Sequence, residues 1–320
     1  MKTITITEND AGQRLDKFLN KSFKNLPLAL MYKCIRKKDI KVNGKRCKID
    51  TRLNVGDILT LYVKNEFFES SPTKYDFLKA PSKVDVVYED KNILLVNKKP
   101  GLIVHSDKNY HFDSLISRIQ HYLFERGEYE PNDSHSFSPA LANRIDRNTG
   151  GIVIAAKNAE TLRILNSKIK DREIKKFYLC IVHGILQKKE DVLTAYLEKN
   201  EPQNRVYIHL TPSKNTKIIK TKYKVIDEKE NFSLLEVELL TGRTHQIRAH
   251  MASIGHSLVG DGKYGTNAKN KNTSYKWQAL YSYKIKFDFK TSAEILDYLN
   301  GQTFVAPKTW FIDDFYNNLK

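Results

Sequence analysis

The chain has 320 residues, room for about two domains, and its 54 Lys and Arg against 37 Asp and Glu leave a net charge of +17. No apolar run approaches the ~20 residues of a membrane helix, and the N-terminus lacks the basic start and apolar core of a signal peptide. Cys34, Cys47 and Cys180 lie far apart with no Cys-x-x-Cys pair, so disulfide frameworks and zinc ribbons are set aside and a cytoplasmic protein with a polyanionic partner is expected.

The charge is uneven. Residues 1–65 hold fifteen Lys and Arg against six Asp and Glu, a surplus of nine, so this short stretch carries more than its share. Residues 3–7 alternate as a first strand. Asp10 to Gln13 form a turn suited to cap a helix from Arg14 to about Lys24, with Leu15, Phe18 and Leu19 on one face, and Pro27 ends the pattern. A second helix, about Leu28 to Lys38, sets Leu30, Met31, Cys34 and Ile35 on one side. Lys33, Arg36, Lys37 and Lys38 lie on its polar side and at its end. Ile40 to Arg46 contains Asn43-Gly44, a strong hairpin turn, and Val55 to Val63 reads as a turn and a strand.

Two short helices on a basic hairpin resemble the small RNA-binding module known as the alpha-L motif, shared with a small-subunit ribosomal protein. Gln13–Leu19, Ile40–Lys45 and Leu53-x-Val55-Gly56-Asp57 carry the likeness. It implies RNA contacts from Arg14, Lys17, Lys33, Arg36, Lys37, Lys38, Lys41, Lys45 and Arg46. Binding through such residues is dominated by phosphates and falls steeply with salt.

Glu66 to Ser82 holds Ser-Ser-Pro and Ala-Pro-Ser without a clear period and reads as a linker. Val84–Asp90 and Ile93–Lys98 read as strands, followed by a Pro100-Gly101 turn. Leu115, Ile116, Ile119, Leu123 and Phe124 have helical spacing, and Gly127 to Pro139 is loop-like. Then comes Asn143-Arg144-Ile145-Asp146-Arg147-Asn148-Thr149-Gly150-Gly151, a polar turn feeding the buried strand 152–156. Arg144 and Arg147 flank Asp146 and are expected to hold it in its charged, acceptor-only form. A helix over 158–171 and a strand over 175–184 follow, and 185–233 alternates short strands and basic loops. The strand 234–240 runs into Thr241 to His256, read as a Gly turn and a helix with Ile247, Met251 and Ile254 facing the core. Arg243 sits at its entrance, a ready anion site.

His245 and His250 are five apart, so the i, i+4 pair of a helical zinc site is missing. There is no Gly-x-Ser-x-Gly elbow, P-loop, dinucleotide fingerprint or carboxylate cluster, and a sugar-cleaving enzyme would want a second catalytic carboxylate. Neither a metal nor a cofactor is expected. What remains is one Asp, a few Arg, and a Tyr on a basic strand. In this order they resemble the RluA-type pseudouridine synthases that act on RNA. The likeness rests on Lys98-Lys99-Pro100-Gly101-Leu102-x-Val104-His105, on Arg144-Ile145-Asp146-Arg147-x-Thr149-x-Gly151, on Lys176-x-Tyr178-Leu179, and on Gly242-Arg243-Thr244-His245-Gln246-Ile247-Arg248-x-His250 through Gly260-Asp261. The chain departs from the family in Asn143 for His, Ile145 for Leu and Gly150 for Ser.

The resemblance implies that Asp146 is the catalytic carboxylate, that Tyr178 stacks on the uracil, and that Arg248 pairs with Asp146. Arg144 would help hold the space left by the flipped nucleotide, and Lys176 and Arg243 would contact RNA. It implies ribosomal RNA as the substrate, with transfer RNA second, and a monomer. A non-catalytic ribosome-assembly factor on the same fold is the competing expectation. The expected fold is α+β: a mixed, largely antiparallel sheet with flanking helices over 83–320, joined through a linker at 66–82 to a small α/β alpha-L unit at 1–65. The cleft should lie between the Asp146 and Arg248 blocks.

Overall fold

The structure, a computed structural model, describes residues 1–68, 75–106, 112–131, 136–266, 270 and 275–317. Near the N-terminus, β1 (Lys2–Thr5), β2 (Ile40–Val42), β3 (Lys45–Arg46) and β4 (Ile58–Leu61) form an antiparallel sheet in the order β1-β4-β2-β3. Asn43 and Gly44 both take positive φ, 51° and 72°, as the tight β2–β3 turn requires. Two helices, α1 (Leu15–Ser22) and α2 (Leu28–Lys37), bury the faces their spacing marks: Leu15, Phe18 and Leu19 pack with Met31, Cys34 and Ile35 over the sheet. Asp10 does not cap α1. The N-cap residue is Arg14, with no side-chain cap, because Asp10 is turned elsewhere: its Oδ1 accepts from the Ser136 N–H at 2.9 Å and from Ser136 Oγ at 2.7 Å. Asn9 likewise accepts the Ala159 N–H at 3.1 Å. These bonds join the N-terminal residues to the rest of the chain.

Of the linker expected at 66–82, residues 69–74 lie outside the described residues. On either side the chain is packed. Phe68 sits edge-on to Phe23, with ring centroids 5.1 Å apart. Phe77 sits edge-on to Phe124 at 5.8 Å.

The larger sheet contains β5 (Val86–Glu89), β6 (Ile93–Lys98), β7 (Ala140–Leu141), β8 (Gly150–Ala156), β9 (Ile174–His183), β10 (Glu190–Asn200), β11 (Arg205–His209), β12 (Thr216–Lys229), β13 (Phe232–Leu239), β14 (Leu280–Phe287) and β15 (Thr303–Val305). Its order is β11-β10-β12-β13-β9-β14-β8-β6-β5, with β15 on β14 and β7 on β8. Only β8 and β14 run parallel among the described pairs, so the sheet is mixed and largely antiparallel, as expected. The stretch after 185 differs from its reading as short strands. β10 and β12 span 11 and 14 residues and pair directly.

Strand alternation sends side chains to two faces. On one, Ile152 and Ile154 of β8 pack with Ile164 and Leu165 of α4 (Ala159–Lys170), and with Phe315 of α6 (Ile312–Asn317). On the other, Val153 and Ala155 meet Leu115, Ile119 and Leu123 of α3 (Leu115–Glu125), and Ile247 and Met251 of α5 (Gln246–Ser253). Ile254, expected in this core, is 39% exposed, because the helix has already ended at Ser253. The aromatic C-terminal stretch is part of the fold, with Phe311 and Phe315 fully buried.

The start of α5 is pinned to β12. Gln246 Nε2 donates to the Lys220 carbonyl and to Thr221 Oγ1, both at 3.0 Å, and His250 Nδ1 lies 2.9 Å from Thr221 Oγ1. Burial pulls the pKa of His250 down to about 4, from about 6.5 for a free histidine. The unfolded chain therefore takes up this proton first. Stability supplied by the neutral ring is complete above pH ~6.5 and is lost as the pH falls toward 4, by up to about 2–3 kcal/mol. Thermal midpoints measured across that window should fall in the wild type and fall less in His250→Gln. Parallel curves would remove His250 as the cause.

Candidate active site

Asp146 lies in the turn that enters β8, closed by the Thr149 N–H donating to the Asp146 carbonyl at 3.1 Å. The two glycines that follow are dictated by close packing against β14. Gly151 has φ +113°, and a Cβ there would collide with the backbone carbonyl of Ser282. A Cβ at Gly150 would run into the ring of Tyr281, whose hydroxyl donates to Asn97 Oδ1 at 2.7 Å. Tyr281 thus explains why Ser is absent from position 150. Gly150→Ser should cost about 1–3 kcal/mol by overpacking, and a second change, Tyr281→Ala, should recover part of that loss. Urea unfolding of the single and double variants measures both, and additive losses would show that the two sites do not meet. Asn143 keeps the strand edge paired, its Oδ1 accepting from the Ile154 N–H at 2.8 Å.

The turn is also tied from below. Lys98, 1% exposed, donates to the carbonyls of Lys99 at 3.1 Å, Leu102 at 2.8 Å and Arg147 at 2.9 Å. Burial pulls its pKa down to about 7, against the opposing charge of Asp146. One buried side chain therefore links the Pro100-Gly101 turn to the Asp146 turn.

The partner of Asp146 comes from α5. Arg248 Nη1 donates to Asp146 Oδ2 at 2.9 Å. Its other edge is gripped by Asp261, with Nε to Oδ2 at 2.7 Å and Nη2 to Oδ1 at 2.8 Å. Asp261 is completely buried and also accepts the N–H groups of Lys263 at 2.9 Å and Tyr264 at 3.1 Å. Burial disfavours the charge on Arg248, but the two carboxylates, Asp261 first, outweigh it and push its pKa up. The carboxyl pKa of Asp261 is held below its ordinary value by the same pairing, against the effect of burial. Arg248 is the partner the resemblance implies, whereas the flanking Arg144 and Arg147, expected to hold Asp146 charged, do not pair with it among the described residues. Arg147 Nε donates instead to the Gly101 carbonyl at 3.1 Å, and Arg144 is exposed at the cleft. Within 4 Å of the Asp146 carboxylate lie Arg248 Nη1 at 2.9 Å and His245 Nε2 at 3.9 Å.

These groups border a cleft of about 720 Å³ on the α5 face of the sheet. Asp146, Tyr178, Arg248, Arg144, Lys176 and Arg243 all line it, so the structure brings together every residue expected there from the sequence. Tyr178 and Lys176 are two apart on β9 and share its face. Tyr178 is 5% exposed. Burial pushes its hydroxyl pKa well up, a hydrogen bond from Ser282 opposes this, and the charge of Asp146 adds to it. The phenol thus stays protonated in the cleft that holds the Asp146 carboxylate. Burial, with Arg172 adding to it, pulls the pKa of Lys176 down to about 8. Arg243 stands before α5 rather than at its first turn, since the helix begins at Gln246.

His245, Asp261, Tyr264 and Lys98 were not singled out as site residues from the sequence. The histidines at 245, 250 and 256 face separate partners: Tyr264, Thr221 and the His183 carbonyl. Among the described residues no group of three His, Cys, Asp or Glu is placed to hold a metal.

Of the basic residues near the N-terminus, Lys17, Lys33, Arg36, Lys37, Lys38, Lys45 and Arg46 are exposed. Arg14 is engaged by Asp16 through two bonds of 3.1 Å. The Lys41 ammonium lies 5.3 Å from the centroid of the Tyr62 ring. Arg36 and Arg46 line a small hollow with Lys48, which was not expected.

On this mixed sheet the cleft brings Asp146, its partner Arg248 and the buried Tyr178 together, and the chain's relatives identify its class as an RNA pseudouridine synthase, an isomerase. The chain belongs to the RNA pseudouridylate synthase family, whose model matches residues 92–253, and the S4 domain model matches residues 13–59. It is 32% identical to an uncharacterized RNA pseudouridine synthase of Mycoplasma capricolum, over 97% of this chain and 99% of that protein. It is also 32% identical to the ribosomal large subunit pseudouridine synthase C of Vibrio cholerae, over 82% of this chain and 80% of that one. The solved structure of human RNA pseudouridylate synthase domain containing 1 shares the fold, with a TM-score of 0.53 and 19% identity, over 74% of this chain and 96% of that one.

Proposed function

We propose that this protein converts specific uridines of large-subunit ribosomal RNA to pseudouridine, with Asp146 as the catalytic carboxylate and no cofactor. The observation that carries the reading is the 2.9 Å pairing of Arg248 with Asp146 in a cleft that also holds Tyr178. The reaction breaks the bond between C1′ and N1, turns the uracil, joins C1′ to C5, and releases the C5 proton while N1 takes one up, so no redox partner is needed. Asp146, paired with Arg248, meets the sugar or the base. Tyr178 stacks on the uracil and serves in proton transfer. Arg144, exposed at the cleft, fills the gap the flipped nucleotide leaves. Lys176 and Arg243 bind phosphate.

The ribosomal substrate is supported by the name of the Vibrio cholerae relative and by the S4 domain with its exposed basic residues. We divide the chain into an RNA-binding unit at 1–65, a linker at 66–82 and a synthase unit at 83–320, acting as a monomer in the cytoplasm. Among the described residues no helix is long and apolar enough to cross a membrane.

The test is a pseudouridine map of ribosomal and transfer RNA from cells with and without the gene. Loss of one or more sites in large-subunit RNA is expected. Loss confined to transfer RNA would move the substrate, and an unchanged map with the gene expressed would favour the non-catalytic assembly factor.

A further inference from the structure

The geometry points to Tyr264 as a positioning residue that fixes His245 in its Nε2–H tautomer, so that an N–H rather than a lone pair faces Asp146. The inference rests on the reading above, in which Asp146 carries the reaction.

The hydrogen bonds set the direction. Tyr264 Oη accepts the N–H of Val206 on β11 at 3.0 Å. Its own proton remains to be donated, and His245 Nδ1 lies 2.9 Å away. A hydroxyl that donates to Nδ1 makes Nδ1 the acceptor and leaves the ring proton on Nε2. Nε2 is 3.9 Å from Asp146 Oδ2, the same oxygen that receives Arg248 Nη1. That gap suits a bridging water or a small approach when the cleft is filled.

The ring is held firmly. The His245 side chain is 10% exposed, and its backbone takes the left-handed φ of 53° at the N-cap of α5, a conformation rare for a residue with a side chain. The charged groups that face it are Asp146 from the β8 turn, Arg248 from α5, and Lys263 and Asp261 from the 260–265 turn. Burial is the largest influence and favours the neutral ring. The ring of Tyr264 also braces two cations, its centroid lying 5.2 Å from the Arg248 guanidinium and 5.4 Å from that of Arg205. One short turn thus supplies Asp261 to Arg248 and Tyr264 to His245. It holds both side chains nearest the Asp146 carboxylate, and through Val206 it ties them to the sheet edge.

The test uses the full chain labelled with ¹⁵N-histidine, whose ring nitrogen shifts report the tautomer. The His245 signal is identified by its loss in His245→Gln. We expect a neutral Nε2–H ring at pH 7 in the wild type and mixed tautomers in Tyr264→Phe, which keeps the ring and drops the hydroxyl. With the RNA fragment identified by the map above, the single-turnover rate of Tyr264→Phe should fall about tenfold, the size of one lost hydrogen bond, with RNA affinity unchanged. His245→Gln, which keeps an N–H near Nε2, should retain more rate than His245→Leu. An Nδ1–H or protonated ring in the wild type, or a wild-type rate in Tyr264→Phe, overturns the inference. If Tyr264→Phe does not fold, the wild-type spectrum and the order of the two His245 variants decide. The spectrum is read on the free protein, so its failure is distinct from failure of the isomerase reading, which Asp146→Asn tests.

Discussion

Asp146→Asn should lower the rate of pseudouridine formation by at least about 10⁴-fold, the scale of losing a nucleophile or essential base. RNA affinity should stay within about threefold, because binding rests on phosphate contacts elsewhere. Asparagine is the informative replacement. It keeps the shape of the side chain and an oxygen for Arg248 Nη1, so the turn between Arg147 and Thr149 has no reason to move. What it removes is the negative charge. Release of tritium from 5-³H-uridine RNA measures the reaction, and a filter or gel assay measures binding. A variant that still turns over at a tenth of the wild-type rate would take Asp146 out of the chemistry, whatever the fold.

Arg248→Met should be damaging in a second way. Its removal strands Asp261, which is 0% exposed and would be left with two backbone N–H groups as partners. Breaking one side of a buried ion pair typically costs about 3–5 kcal/mol, so the thermal midpoint should drop by several degrees along with the loss of activity. The double change Arg248→Met with Asp261→Asn should regain part of the stability, because the uncompensated buried charge is gone, and none of the activity. If the double variant is as unstable as the sum of its parts, the cost lies in packing rather than in the stranded carboxylate. If it regains activity, Arg248 is not needed beside Asp146.

Much of this was visible in the sequence. The two N-terminal helices followed from apolar spacing, and the β2–β3 hairpin from Asn43-Gly44, because these are local signals. The cleft residues Asp146, Tyr178, Arg248, Arg144, Lys176 and Arg243 were legible through the family's motifs, since each motif holds its residues at a fixed place on a strand or turn. So was the pairing of Arg248 with Asp146, but the contacts of the flanking arginines and of Asp261 were not. Arg144 and Arg147 are near Asp146 in sequence, yet in this turn their side chains leave it, and the cation that reaches it lies 102 residues on. Asp261 lies in a Gly-rich turn that the family's motif includes, but the motif gave it no partner. Only the burial of Arg248 creates the need for a second carboxylate. The β10–β12 region misread as short strands for a related reason: Lys217, Lys220 and Lys224 are exposed, and their charges mask the alternation of buried Ile219, Thr221 and Tyr223.

The strand that follows Asp146 sets how the molecule loses and keeps its working geometry. All seven residues of β8 are buried, and both faces are covered by packed helices. Backbone amides so enclosed exchange with solvent only when the whole fold opens, whereas an outer strand such as β11 is released by small local fluctuations. The carboxylate is thus anchored to the slowest-breathing part of the protein. Fraying at the periphery changes what the cleft can hold long before it disturbs Asp146 itself.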